Sequence, residues 1–386
     1  MGSTSGLGKG CLYTIIIIII LYAILCLLFV GGDKFYTPAV IVGVIALLTL
    51  SLLKRYHVLK PRNMKIAWIA FSSLFILSCG VYEAIKAYDR SIFRVSEGDL
   101  DLELYAPFTE KTKAVSLDEI SSLKLNEDLP ILDGATALYP LYSAFARAVY
   151  PKKEYDLFRS EVRCHNTINA YDNLIHQNVD VIFVASPSKQ QLKKAKQKGV
   201  VFNNTPVGRE AFVFFVNTNN PVDNLTIEQL RGIYSGRIKN WKELGGKDES
   251  IRPFQRNEDS GSQSAFLHFM KGDVIMNPPK EDIVGGMGGI ISQTADYTNY
   301  SNAIGFSFRF YANEMVNNNG IKLLKIEGIY PDIESIKDNS YPLASQFYAV
   351  TLSDNTKPNV LKLLEWITSE QGQWLVEKTG YCALHN

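Results

Sequence analysis

The run Phe254-Gln255-Arg256-Asn257-Glu258-Asp259-Ser260-Gly261-Ser262-Gln263-Ser264-Ala265-Phe266 carries residue types that can hold a small oxyanion. An arginine leads into a polar turn, Ser-Gly-Ser follows, and Ser264 to Met270 can start a helix. The first N–H groups of a helix have no internal acceptor and carry the positive end of its dipole. Gly261 lets backbone approach a ligand closely, Ser260 and Ser262 add hydroxyl donors, and Arg256 offers a charge-assisted, bidentate partner. The same letters also spell an ordinary serine N-cap in a surface turn, and this stretch alone does not separate the two.

A second stretch of the same kind favours anion capture. Ile131-Leu132-Asp133-Gly134-Ala135-Thr136-Ala137-Leu138-Tyr139-Pro140 reads as a short strand ending at Asp133-Gly134, a turn carrying Thr136, and a helix from Leu138 to Val149. In open α/β sheets, ligands sit at such carboxyl ends of strands.

The elements that must position these loops occupy the last two thirds of the chain. The 386 residues carry a net charge of +1, so no basic field points to nucleic acid. The five cysteines, Cys11, Cys26, Cys79, Cys164 and Cys382, form no CxxC pair and no metal spacing; Cys164 and Cys382 are left as a pairing that sequence can neither assert nor exclude. No cofactor or metal is called for.

The first 82 residues are mostly apolar. Cys11 to Val30, Thr37 to Leu53 and Met64 to Val81 are three candidate membrane spans. The basic loop Lys54 to Lys65 belongs in the cytoplasm by the positive-inside rule, which places everything after Val81 outside the cell. Ile76-Leu77-Ser78-Cys79 resembles a lipoprotein box, but two spans precede it and a plain membrane helix fits better. Residues 83–128 read as a stalk or small ordered spacer, with a capping box at Ser116 to Glu119 before a short helix.

Several ordered motifs between residues 129 and 384 resemble the phosphate-binding proteins of ABC transporters. Asp133 to Pro140 resembles their first signature. Ala211 to Asn217, Asn220 to Thr226 and Ile233 to Trp241 resemble their second-lobe motifs. Arg256 to Ser262 resembles their Arg…Ser-Gly-Thr loop with serine for threonine, and Asn302 to Phe308 and Tyr341-Pro342-Leu343 continue the likeness. The resemblance implies an α/β, two-lobed type II periplasmic-binding-protein-like domain over residues 129–386, preceded by three transmembrane helices within 1–82. Lobe 1 would span about 129–210 and 345–386 and lobe 2 about 211–344, with Ala211 to Asn217 and Gln346 to Thr351 as hinge strands. Ser353 to Lys378 holds helical spacing at Leu361, Leu364, Ile367, Trp374 and Leu375, ending at Gly380.

By the same resemblance the ligand contacts would be Thr136, Ala137, Thr167, Ser186, Arg256, Ser260, Gly261 and Ser262. One departure stands out. The family places an aspartate after the strand Val179 to Val184 to accept the proton of hydrogen phosphate; here Ala185 and Ser186 follow. A serine hydroxyl both donates and accepts, so it does not sort anions by protonation state. Arg309 reads as a surface arginine packed on aromatics, with anion contact as the alternative.

The implied function is a membrane-anchored extracytoplasmic solute-binding protein that captures inorganic phosphate for ABC-type import, with permease subunits as partners. The alternative is a sensor for phosphate or another tetrahedral oxyanion that signals through the membrane helices. An enzyme on the same fold would need Glu258 or Asp259 as a base, and no Ser–His–Asp order or paired carboxylates support one, so a non-enzyme is expected. An inert structural module would show no anion affinity.

Overall fold

The computed structural model describes residues 35–57, 60–91, 94–95, 101–256, 260–277, 283–284, 297–315 and 320–384. The first expected span, Cys11 to Val30, lies outside these residues, as do Glu258 and Asp259. The chain divides into two units, Met1–Ile92 and Phe93–Asn386.

In the first unit, α1 (Tyr36–Arg55) and α2 (Pro61–Ser91) cover the second and third expected spans. Both are long and apolar enough to cross a membrane. Pro61 opens α2, where its missing N–H costs no hydrogen bond. Phe35 stacks on Tyr82 at 4.1 Å, and Gly43 faces Phe75, so the two helices form a hairpin. Large apolar side chains such as Val42, Ile45, Ile69 and Ile76 are exposed on its outside.

The second unit begins with the two-residue strand β1 (Arg94–Val95). Its first half then runs β2 (Leu132–Gly134), α3 (Tyr139–Val149), α4 (Asn166–Ile175), β3 (Val181–Val184), α5 (Lys189–Lys198) and β4 (Phe202–Asn217). There follow β5 (Asn224–Leu225), α6 (Ile227–Tyr234), β6 (Arg252–Pro253), β7 (Gln255–Arg256), α7 (Gly261–Met270), β8 (Ile283–Val284), β9 (Tyr297–Thr298) and β10 (Ala303–Phe308). The chain closes with β11 (Ile321–Leu323), β12 (Lys325–Ile326), α8 (Ile333–Lys337), β13 (Ala344–Leu352), α9 (Pro358–Ile367) and α10 (Glu370–Thr379).

One seven-stranded sheet organises the unit in the order β2-β3-β13-β4-β10-β6, with β11 also on β4. The first half of β4 pairs antiparallel with β13, from Phe202↔Leu352 to Ala211↔Ala344. Its second half pairs with β10 and β11 instead. A single strand therefore serves two sheets' worth of partners, and the change-over falls between Ala211 and Phe212. From Ala211 to Val216 every side chain is buried, as in a strand covered on both faces.

Two large cores lie on either side of the change-over. The first gathers Tyr139, Tyr142, Phe145, Phe183, Val207, Phe347, Trp366 and Val376. The second gathers Phe214, Tyr234, Trp241, Phe266 and Phe306, with Phe266 stacked on Phe306 at 4.5 Å. A smaller cluster under α4 holds Tyr171, Ile182 and Val350. Phe310, Tyr311 and Met315 follow β10 yet join the first core.

One local expectation differs from the structure. No helix follows Ser116; the chain bends at Asp118-Glu119, and the amide of Gln371 donates to Glu119 Oε1 at 2.7 Å and to the carbonyl of Ile120 at 3.1 Å. Backbone groups that a short helix would satisfy internally are thus taken by α10. The helical spacing from Ser353 to Lys378 is carried by two helices, and the chain turns between them at Thr368-Ser369 so tightly that a β-carbon on Gly372 would lie 2.3 Å from the carbonyl of Ile367. Cys164 and Cys382 are free, buried thiols, one in each large core.

Candidate functional site

The first strand–turn–helix unit depends on Gly134. A β-carbon there would lie 2.5 Å from the carbonyl of Phe183, so only glycine lets β2 run this close to β3. Ala135 donates its N–H to that same carbonyl at 2.9 Å, and Thr136–Leu138 form a tight 3-10 turn into α3, with Pro140 in the helix's first turn. Burial pushes the Cys164 thiol up to about 12 and so keeps it protonated. The carbonyl of Ala137 accepts from the hydroxyl of Tyr381, whose ring stacks on Phe310 at 4.5 Å.

Beneath this turn lies Asp133, with no exposed surface. Its carboxylate accepts from the N–H of Gly134 at 2.8 Å, the N–H of His165 at 2.8 Å, His165 Nδ1 at 2.9 Å and Asn173 Nδ2 at 3.0 Å. One buried anion therefore ties the end of β2 to the start of α4. A buried carboxylate is tolerable only with such a full set of donors. Asn166 opens α4 at a φ of 68°, an asparagine-tolerant conformation, and its side chain caps the N–H groups of Ile168 and Asn169 at 3.1 and 3.2 Å. Thr167, in the first turn of α4, is buried.

The second unit is built around Gln263. Its side chain accepts the Arg256 N–H at 2.9 Å, and its own N–H is capped by the Ser260 hydroxyl at 3.2 Å. β7 and the start of α7 are thereby held together. Ser260 is thus an N-cap, as the plain alternative had it, and sets the helix start. The next hydroxyl is different. Ser262 is 4% exposed, and its Oγ has no hydrogen-bond partner among the described residues. A buried hydroxyl without a partner costs about 1–3 kcal/mol, which a ligand oxygen would recover.

The two units meet. A β-carbon on Gly261 would lie 2.9 Å from Thr167 Oγ1 and 3.8 Å from Phe308. The open end of α7 from one side of the sheet and that of α4 from the other thus face each other, with hydroxyls on both. The arrangement suits a small anion stripped of its water.

Not all expected contacts gather here. Ser186 sits exposed in the bend after β3. Arg309 lies elsewhere: its Nη1 donates to the carbonyl of Gly380 at 3.3 Å, and its charge acts on Glu210 in β4. Asp133, His165, Asn173 and Gln263 escaped the sequence reading. Asp133 looked like a strand end, and nothing in sequence pairs it with a histidine 32 positions on.

Residues 131–371 match the PBP superfamily domain. The chain belongs to that superfamily. Its curated relatives include the phosphate-binding protein PstS of Borreliella burgdorferi, 25% identical over 269 residues that cover 67% of this chain and 91% of the relative. PstS of Bacillus subtilis is 27% identical over 168 residues, 43% of this chain and 52% of the relative. Among solved structures, a protein described as a phosphate ABC transporter substrate-binding protein of Clostridium perfringens, with bound phosphate, superposes with a TM-score of 0.50 at 22% identity, covering 66% of this chain and 98% of that one. The superfamily match and this superposition agree with the two cores and the crossing strands β4 and β13: the α/β type II periplasmic-binding-protein fold, with one lobe around each large core.

Proposed function

We propose that this chain is a membrane-anchored solute-binding protein that captures inorganic phosphate outside the cell for ABC-type import. The observation that carries the reading is the buried Ser262 hydroxyl at the start of α7, without a hydrogen-bond partner among the described residues and one residue from the glycine that lies against Thr167 of the other lobe. The names of the PstS relatives supply the ligand.

In this reading the ion sits between the lobes. The hydroxyls of Thr136, Thr167 and Ser262 and the N–H groups of Ala137, Gly261 and Ser262 replace its water shell. Ser260 caps the helix that presents them, Arg256 balances the charge, and Ser186 contributes from the rim. Lobe closure then excludes water and strengthens each of these interactions. The outcome is binding and hand-over to permease subunits, without turnover. Cys11 to Val30, α1 and α2 would be three spans, with the basic residues after Leu53 on the cytoplasmic side.

Calorimetry on the full-length protein in detergent, titrated with phosphate, sulfate and molybdate, tests the proposal. One tetrahedral oxyanion should bind per chain, and Arg256→Ala should weaken it by about 2–5 kcal/mol, the cost of removing one partner of a desolvated charge pair. No binding of any of the three would end the reading; unchanged affinity in the variant would remove Arg256 from the site.

A further inference from the structure

Charge of one sign is concentrated on α5. Its ten residues, Lys189–Lys198, hold five lysines and no acid, although the whole chain carries only +1, so everything outside this helix is net negative. Lys194 pairs with Asp172 of α4 at 3.0 Å. Lys189, Lys193, Lys196 and Lys198 are exposed and hold no ion pair among the described residues. Helix stability does not account for the pattern. α6, α8 and α10 each carry an acid in the first turn (Glu228, Glu334 and Glu370), where it meets the positive end of the helix dipole. α5 has none there and begins on a lysine. Lys189 and Lys193 are also like charges four positions apart, which costs helix stability.

The place where α5 starts decides what this charge can act on. β2 and β3 run parallel with Gly134 beside Phe183, so the bend after β3 leaves the sheet at the same edge as the turn carrying Thr136. The Tyr171 hydroxyl of α4 donates to the carbonyl of Ala185 at 2.8 Å and holds that bend. Ser188 then fixes the first turn of α5: its Oγ accepts the Gln191 N–H at 3.1 Å, and its own N–H donates to Gln191 Oε1 at 2.8 Å. α4 and α5 both run from this edge toward the opposite one, where the Asp180 N–H bonds the carbonyl of Ile131 and β4 begins at Phe202. Thr167 precedes Asp172 by five residues and Lys189 precedes Lys194 by five, so the ion pair between the helices sets Lys189 level with Thr167.

We propose that the lysine face of α5 is an electrostatic guide for the anionic ligand, with Lys189 and Lys193 raising the rate at which phosphate reaches the site without touching it once bound. Charge of one sign beside a site raises the local concentration of an oppositely charged ion and speeds its association, by about tenfold to a thousandfold where the field is strong. The buried carboxylate of Asp133 lies beneath the binding turn and repels an incoming anion, and the exposed lysines offset that repulsion. Their reach is limited by salt, with a Debye length of about 10 Å at 0.1 M ionic strength. Lys198 stands nine residues beyond Lys189, about 13 Å further along the helix axis. The near end of α5 therefore acts on the ligand and the far end is screened. The proposal rests on the phosphate-binding reading for its ligand.

Binding kinetics of inorganic phosphate on the full-length protein in an uncharged detergent test it. Calorimetry gives the affinity, release of radiolabelled phosphate into excess unlabelled phosphate gives the dissociation rate, and their ratio gives the association rate. At about 0.1 M ionic strength the double variant Lys189→Glu, Lys193→Glu should associate several-fold more slowly than the parent, with an unchanged dissociation rate. The double variant Lys196→Glu, Lys198→Glu should lose clearly less. At about 1 M salt, where the Debye length is about 3 Å, all three proteins should associate alike. The melting temperature of the ligand-free Lys189→Glu, Lys193→Glu protein should hold or rise, because an acid then stands in the first turn of α5. An association rate equal to the parent's at about 0.1 M, a loss that persists at about 1 M, a loss that falls in the dissociation rate, or an equal loss from the far pair overturns the guide and leaves phosphate binding standing. No phosphate binding by the parent overturns the phosphate reading and the guide with it.

Discussion

Thr167 and Gly261 come from opposite lobes and are in direct contact, with no room between them for a methyl group. Gly261 does not occupy the left-handed backbone region, so a side chain there is conformationally permitted and only space forbids it. Alanine at the first position of α7 would also favour the helix. Gly261→Ala should therefore hold or slightly raise the melting temperature of the ligand-free protein. Phosphate affinity should fall by about 1–3 kcal/mol, the usual cost of forcing an extra carbon into a packed contact. Calorimetry and a thermal melt on the same preparation check both signs; an affinity equal to the parent's would mean that the lobes do not close through this contact.

Ser262→Ala separates a ligand contact from a structural hydroxyl. Its Oγ is buried without a partner among the described residues, so removing it from the empty protein should be neutral or stabilising. With phosphate bound, the loss of a hydrogen bond to a charged oxygen should cost about 1.5–3 kcal/mol, roughly tenfold or more in Kd. A variant that melts lower but binds as well as the parent would place the hydroxyl in the fold and not in the site.

Asp133→Ala strips the acceptor from four donors at once. Each donor left buried and unpaired costs about 1–3 kcal/mol, less whatever water recovers. Asp133→Asn keeps one acceptor oxygen and should fall between the parent and the alanine variant. Denaturant melts of the three proteins should rank in that order, with the alanine variant lowest by several kcal/mol.

Glu210 sits just before the change-over point of β4, fully buried. Burial raises its carboxyl from 4.5 to about 7 against the N–H of Ala211, the charge of Arg309 and the N–H of Phe310, which all lower it. A raised folded-state value means that the fold prefers the protonated acid. Its contribution is complete below the ordinary carboxyl range and is lost as pH rises through about 7. The parent's stability should thus decline between pH 5 and pH 8, by at most about 3 kcal/mol for this group. Glu210→Gln should flatten that slope. Equal pH profiles for the two proteins would show that the acid is neutralised in some other way.

Much of the site's local chemistry was legible in the sequence, because it depends on residues close together in the chain. Asp133 to Pro140 announces a strand, a tight turn and a helix, and Ser260-Gly261-Ser262 announces a helix start. Ser186 was placed by analogy with the relatives' aspartate, and the bend after β3 leaves it exposed. The capping box at Ser116 is sound locally, but α10 offers that backbone other partners. Local propensity loses where a long-range contact satisfies the same groups.

By itself the sequence determined which short segments present free N–H groups and hydroxyls, since helix starts and glycine turns are set by neighbours within a few residues. It also determined the apolar helices at the amino-terminal end. Only the tertiary structure decided that Thr167 faces Gly261, that Asp133 holds His165 and Asn173, and that the strand after α2 lies on β9. Those contacts join residues tens to hundreds of positions apart, brought together by the sheet's strand order and the burial of two cores, which no local pattern encodes.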